Sequence, residues 1–177
     1  MHNFTQSDII EYENFFDEED YQKIIEYTTK PKWQFGHTTF TPNSPHYENS
    51  IPFWKMELSQ DTFFTEYLLN IIKQKTDLKV SAYNVYMNGQ TYGQHGYPHV
   101  DAYEETGRTF LLYAVPHWDI MLGGKTAYVI DKNNFHYVTP ERNKAVLFPG
   151  MIPHFSEETN RVFAGLRVTV AWKLTLQ

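Results

Sequence analysis

His99-Val100-Asp101 sets an imidazole and a carboxylate two residues apart. In extended chain, residues i and i+2 project to the same side, so both can reach one ion while Val100 faces away. A second imidazole, His154, follows Asp101 by 53 residues, in Phe148-Pro149-Gly150-Met151-Ile152-Pro153-His154, just past an apolar stretch. Two histidines and one carboxylate on one face of a metal leave about three coordination positions open, which is what a redox metal such as iron(II) needs to activate oxygen. Arg167 lies 13 residues beyond His154 and interrupts an apolar run, with Leu166, Val168 and Val170 around it. A buried arginine is costly unless it meets an anion, and its planar fork suits a carboxylate. Thr169 shares that side of the strand and can add a hydroxyl, and Tyr113 offers a polar tip within the apolar run Thr109–Val115. The competing reading of Arg167 is an internal salt bridge, although no acidic partner stands nearby in sequence.

The other candidates carry less. His95 precedes His99 by four, but Tyr92-Gly93-Gln94-His95-Gly96 reads as a loop. Arg161, the rival to Arg167 as a carboxylate anchor, follows Glu157, Glu158, Thr159 and Asn160 and reads as a solvated loop charge. His117 and His136 read as surface residues, and Trp54, Trp118 and Trp172 as core.

These residues need a scaffold, and the pattern supplies two kinds of element. Ile9 to Phe16 reads as a strand. Asp17 reads as an N-cap followed by Glu18, Glu19 and Asp20, where carboxylates complement the helix dipole. Tyr21, Ile24 and Ile25 recur at helical spacing, and Pro31 ends that helix. A second helix runs from about Thr62 to Lys75, with Phe63, Phe64, Tyr67, Leu68, Ile71 and Ile72 as its apolar stripe. Between the helices, the stretch from Thr38 to Trp54 reads as a long flap. Such loops are often lids, and Tyr47, Phe53 and Trp54 are expected to line a substrate groove beneath it. After Leu78 the chain turns to short strands: Val80 to Met87, closed by the turn pair Asn88-Gly89, then Thr109–Val115, Thr126–Ile130, Phe135–Thr139, Ala145–Phe148 and Leu166–Leu176. The expected architecture is mainly β, a sandwich or barrel with N-terminal helices packed against it. It forms a single domain over 1–177, with a helical support over about 1–77 and a β core over about 78–177.

Composition narrows the function. At 177 residues, 41% hydrophobic and 17% aromatic, the chain can build one packed core. Its net charge of −6 and lack of a basic run disfavour nucleic acid as a partner. The absence of cysteine removes disulfides, thiol catalysis, iron–sulfur clusters and Cys-ligated zinc. Met1-His2-Asn3-Phe4-Thr5 shows no basic region leading into an apolar run, and no apolar stretch approaches the ~18 residues that span a bilayer. The expectation is a soluble cytoplasmic protein without a membrane partner. Nothing in the sequence indicates the oligomeric state.

Beyond the triad, the order of motifs resembles the prolyl 4-hydroxylase-like branch of the iron(II)- and 2-oxoglutarate-dependent oxygenases. Arg108 to Trp118 looks like that family's strand running into an Asn-x-x-Trp-like turn. Gly123-Gly124-Lys125-Thr126 is similar to its Gly-Gly-Glu-Thr segment. Val138-Thr139-Pro140 through Asn143, and Phe148-Pro149-Gly150, are similar to the stretch before the distal histidine. Gly165-Leu166-Arg167-Val168-Thr169 resembles its Gly-x-Arg-x-Ser strand. The likeness covers about Tyr83 to Trp172. It implies a double-stranded β-helix (jelly roll, cupin-like) core, with Fe(II) bound by His99, Asp101 and His154. It also implies 2-oxoglutarate held at its far carboxylate by Arg167 and Tyr113, with Tyr86 near the same pocket and Thr169 as a helper. The implied activity is a dioxygenase that hydroxylates a C–H bond while 2-oxoglutarate is decarboxylated to succinate. The substrate is expected to be a prolyl or other peptidyl residue before a small molecule. O2 is the oxidant, with ascorbate in a supporting role. Two departures stand out: Lys125 replaces an acidic residue and reads as a surface side chain, and Val115 stands where asparagine is common. Asp101 is retained, which argues against halogenation. The alternative reading is a non-redox jelly-roll module of the cupin type that binds a metal and an acidic ligand.

Overall fold

The computed structural model describes residues 4–40, 43, 45, 46, 48 and 50–177. His2 and Tyr47 lie outside the described residues.

Two antiparallel sheets face each other. The larger has seven strands in the order β1 (Ile10–Tyr12), β8 (Ala145–Pro149), β5 (Gly107–Tyr113), β10 (Arg167–Leu176), β4 (Val80–Gln90), β3 (Phe53–Glu57) and β2 (Gln34–His37). The smaller is β7 (Phe135–Val138), β6 (Thr126–Val129) and β9 (His154–Ser156). An isolated antiparallel bridge between His99 and His154 adds one more rung beyond β9. The architecture is the expected jelly roll, mostly β with few helices.

Period-two alternation along the central strands divides the interior. On β10, Val168, Val170, Trp172 and Leu174 join the core under the helices, while Arg167, Thr169, Ala171 and Lys173 face the space between the sheets. On β4, Val85 and Met87 go to the core, and Asn84, Tyr86, Asn88 and Gln90 go to that space. On β5, Phe110 and Leu112 oppose Thr109 and Leu111 in the same way. Residues i and i+2 share a face, so each strand contributes to both the core and the cavity.

The helices back the large sheet. α1 spans Glu18–Thr28 with Glu18, Glu19 and Asp20 in its first turn, as expected, although Asp17 makes no side-chain capping bond. α1 buries Tyr21, Ile24 and Tyr27. The Tyr21 hydroxyl donates to the carbonyl of Val115 at 2.7 Å and also lies 3.0 Å from that of Tyr113, which fixes the end of β5. The second helix begins in π geometry over Phe63–Leu68 and continues as α2 (Leu69–Thr76). The Phe64 carbonyl within it accepts the Trp172 indole N–H at 3.0 Å.

Three expectations need correction. Asn88-Gly89 is not a turn: β4 runs through both to Gln90. A Cβ on Gly89 would stand 2.6 Å from Leu166 and 3.0 Å from Trp33, so close packing, not chain reversal, accounts for this glycine. The N-terminal strand is shorter than Ile9–Phe16. Phe15 and Phe16 leave β1 and are held by Asn143, whose carbonyl and side chain bond their backbone at 2.6–3.0 Å. The region over 1–77 is not only a helical support, since it supplies β1, β2 and β3 to the large sheet. The flap is therefore narrower, with Phe53 and Trp54 already in β3.

Candidate metal centre

His154 enters the small sheet at the first residue of β9, opposite Tyr128 on β6. Its ring is wedged between Tyr128, stacked at 5.8 Å, and Phe148, edge-on at 4.8 Å. The bridge to His99 (N to O 3.1 and 2.9 Å) carries the second imidazole to the same place, with ring centroids 4.5 Å apart. Asp101 follows where the chain bends, and its backbone N–H donates to Gly150 O at 2.8 Å. Ligating atoms of His99, Asp101 and His154 all lie within 4.8 Å of one another.

The protonation pattern suits a cation. His99 Nδ1 lies 2.9 Å from Tyr97 O, and His154 Nδ1 lies 2.9 Å from Ile152 O. A carbonyl only accepts, so each Nδ1 carries the proton and each Nε2 presents a lone pair, as metal-ligating imidazoles do. The two Nε2 atoms stand 3.4 Å from Asp101 Oδ1 and Oδ2, respectively. Burial pushes His154 down to about 3, outweighing the pull of Asp101, so this imidazole stays neutral. Burial alone would raise the Asp101 carboxyl, but Lys173 and the two imidazoles outweigh it and hold the group well below the usual carboxylate range.

A cavity of about 470 Å³ runs from the triad to Arg167, between the sheets. Arg167 is only 2% exposed. Its Nε donates to Gly124 O at 2.6 Å, one Nη to Gln90 Oε1 at 3.0 Å and the other to Thr126 Oγ1 at 2.9 Å. All three acceptors are neutral. Among the described residues no carboxylate pairs with Arg167, so the salt-bridge reading fails and the guanidinium charge faces the cavity without a counter-ion. Gly124 makes this approach possible. It sits at φ +69°, and a Cβ there would meet Arg167 Cδ and Thr159 at 3.0 Å.

The other expected residues divide. Tyr86 and Thr169 line the cavity. Tyr113 does not: its hydroxyl is buried and donates to Thr126 Oγ1 at 2.7 Å, so it lies one hydrogen bond behind the wall. Val100 lines the cavity instead of facing away, because the extended chain ends at Asp101. Phe53 is on the wall, whereas Trp54 packs on Phe35 at 5.1 Å. Lys125 lies 5.9 Å from the Tyr137 ring, outside the cavity. Arg161 and His117 are exposed, and so is His95, whose ring packs on Phe155 at 5.3 Å. His136 is half-buried and pairs with Glu11 at 3.0 Å, so it is not a free surface residue.

Four polar residues of the site escaped the sequence reading: Gln90 and Thr126 on Arg167, and Thr109 and Lys173 on Asp101. The Thr109 hydroxyl donates to Asp101 Oδ2 at 2.6 Å. Lys173 pairs with the same oxygen. Alternation from Arg167 would have put Thr169, Ala171 and Lys173 on one face, so Lys173 at least was within reach. His37, which lines the cavity at the end of β2, is pushed down to about 4 by burial and then by Lys55, so it too is neutral.

No protein-family model matches the chain, and no curated protein matches it by sequence. Solved structures do. A prolyl hydroxylase from Trichoplax adhaerens, solved in complex with a hypoxia inducible factor oxygen degradation domain peptide fragment, superposes with a TM-score of 0.70 at 13% identity. That alignment covers 96% of this chain and 84% of that one. A Pseudomonas putida prolyl-4-hydroxylase gives 0.62 at 14%, over 96% and 93% of the two chains. HygX from Streptomyces hygroscopicus, with nickel and 2-oxoglutarate bound, gives 0.67 at 10%, over 98% and 88%. The fold is that of the 2-oxoglutarate and iron(II) oxygenases.

Proposed function

We propose that this chain is an Fe(II)- and 2-oxoglutarate-dependent dioxygenase that hydroxylates a C–H bond, with a peptidyl residue, proline first, as its substrate. The observation that carries this reading is the pairing in one cavity of a two-histidine, one-carboxylate donor set with a buried arginine that lacks a counter-anion. His99 Nε2, an Asp101 oxygen and His154 Nε2 would hold the metal, and the donor set suits iron(II). Arg167 would take the far carboxylate of 2-oxoglutarate in a fork, as carboxylate recognition favours. Thr126 would orient that fork, steadied from behind by Tyr113, and Thr169 would add a hydroxyl from the same strand face. The iron centre, with 2-oxoglutarate and O2, supplies oxidative decarboxylation to succinate and carbon dioxide, with one oxygen atom going to the substrate as a hydroxyl group.

The protein's own contribution is geometry and dryness. The two Nδ1–H···O=C bonds fix the tautomer of both imidazoles and aim each Nε2. Leu111, Ala171 and Val100 narrow the wall around the donor set, and Phe40 and Phe53 stand among the residues on the β2–β3 side. The prolyl hydroxylases among the similar structures support a peptide substrate. Purified protein with Fe(II), 2-oxoglutarate, ascorbate and O2 should release succinate, faster when a substrate from a proline-containing peptide panel is present, with a matching +16 Da product. No succinate under any of these conditions would favour the metal-binding cupin-type reading.

A further inference from the structure

Lys173 is 7% exposed, and its neighbours Trp172 and Leu174 are in the core. A lysine is seldom buried unless paired. Here the ammonium turns into the cavity, pairs with Asp101 and lies 5.6 Å from the centroid of the Tyr86 ring. The two oxygens of Asp101 are consequently unlike. Oδ2 accepts the Thr109 hydroxyl and the Lys173 ammonium. Oδ1 meets His99 Nε2 at 3.4 Å and accepts no hydroxyl, backbone or ammonium donor among the described residues.

We infer that Lys173 is a positioning residue that makes Asp101 a one-oxygen ligand: Oδ1 goes to the metal and Oδ2 stays on Lys173 and Thr109. The inference rests on the metal site proposed above. A carboxylate binds a cation through one oxygen or both. With both, Asp101 would take a coordination position that a 2-oxoglutarate oxygenase must keep open, two being used by the keto acid and one by O2. A charge-assisted hydrogen bond in a buried site is strong, and giving it up would leave the ammonium buried without a partner. Oδ2 is thereby withheld from the metal.

The test counts water on Mn(II). The full chain loaded with Mn(II) is examined by electron paramagnetic resonance in 17O-enriched water, where line broadening reports the water ligands. Wild type and Lys173→Arg should hold about three, and about one once 2-oxoglutarate is added. Lys173→Met should hold about one fewer in each state, because Asp101 then closes on the metal with both oxygens. Lys173→Gln, which keeps a polar end but no charge, serves if Lys173→Met does not fold, and it should show the same loss. Equal counts in wild type and the uncharged variants would overturn this inference and leave the metal site standing. A wild type that binds no Mn(II) would overturn the metal site and this inference with it.

Discussion

At the scale of single residues, Arg167 is the most exacting part of the site. Three neutral acceptors orient it and none neutralises it, so its charge is available to an incoming carboxylate. Arg167→Met should therefore weaken 2-oxoglutarate binding to the metal-loaded protein by at least about tenfold, the loss expected of a charge-assisted pair, with metal affinity unchanged. Calorimetric titration of each ligand separates the two effects, and unchanged 2-oxoglutarate affinity would remove Arg167 from the site. Arg167 was legible by its charge in an apolar run, and His99 with Asp101 by their close spacing, although the chain bends at Asp101 and Val100 does not alternate away. His154, 53 residues on, was picked out only as the third donor of the pattern. Thr126 and Gln90 were not, because nothing local marks a threonine or glutamine as the partner of an arginine 41 or 77 residues away. Tyr113 was read as a direct anchor. Only the packing of β5 across from β6, in the facing sheet, shows that its hydroxyl stops at Thr126.

At the scale of elements, the site depends on loops that bring strand ends close together. The Gly123-Gly124 turn places a carbonyl on Arg167 Nε, and a methyl group at Gly124 would be crowded at 3.0 Å by Arg167 Cδ and Thr159. Gly124→Ala should lower the unfolding free energy by about 1–3 kcal/mol, from the positive φ and the crowding together. It should also weaken 2-oxoglutarate binding by displacing the guanidinium. Urea titration and a 2-oxoglutarate titration on the same variant check the two halves, and a variant as stable as wild type would contradict the packing account. The long strands and α1 were legible from periodicity and capping composition. β2, β3 and β9 were not: they have three to five residues each, too few for a period to emerge, and β3 was absorbed into the flap. Asn88-Gly89 misled because a turn pair and a close-packed glycine look the same until Leu166 and Trp33 are in place.

At the scale of the whole molecule, two sheets and a helical layer bury imidazoles that stay neutral until acid pH. His37 is pushed down to about 4 and His154 to about 3, in both cases first by burial. In the unfolded chain a histidine takes up its proton near ~6.5. Between that pH and the folded values, the unfolded state binds more protons, so lowering the pH favours unfolding. The metal-free protein should hold its full stability above about pH 6.5 and lose it progressively as the pH falls toward 4. A His37→Asn variant should show a shallower decline over that window. Urea midpoints against pH measure this, and a flat profile over the window would contradict the buried, neutral histidines. No helix among the described residues is long and apolar enough to cross a membrane. The jelly roll itself was legible as many short strands punctuated by turns, whereas the insertion of the N-terminal strands at both edges of the large sheet depends on long-range pairing that no local pattern records.

The most direct measurement is an anaerobic titration of the purified protein with Fe(II) and then 2-oxoglutarate, followed by visible absorption. If His99, Asp101, His154 and Arg167 form one iron and keto-acid site, a weak charge-transfer band should grow with 2-oxoglutarate, saturate at one equivalent, and disappear when O2 is admitted as succinate forms. It should be absent in Asp101→Ala and require much more 2-oxoglutarate in Arg167→Met. A wild type that binds Fe(II) yet shows no band at any concentration of 2-oxoglutarate would contradict the account and leave a metal-binding jelly roll without this chemistry.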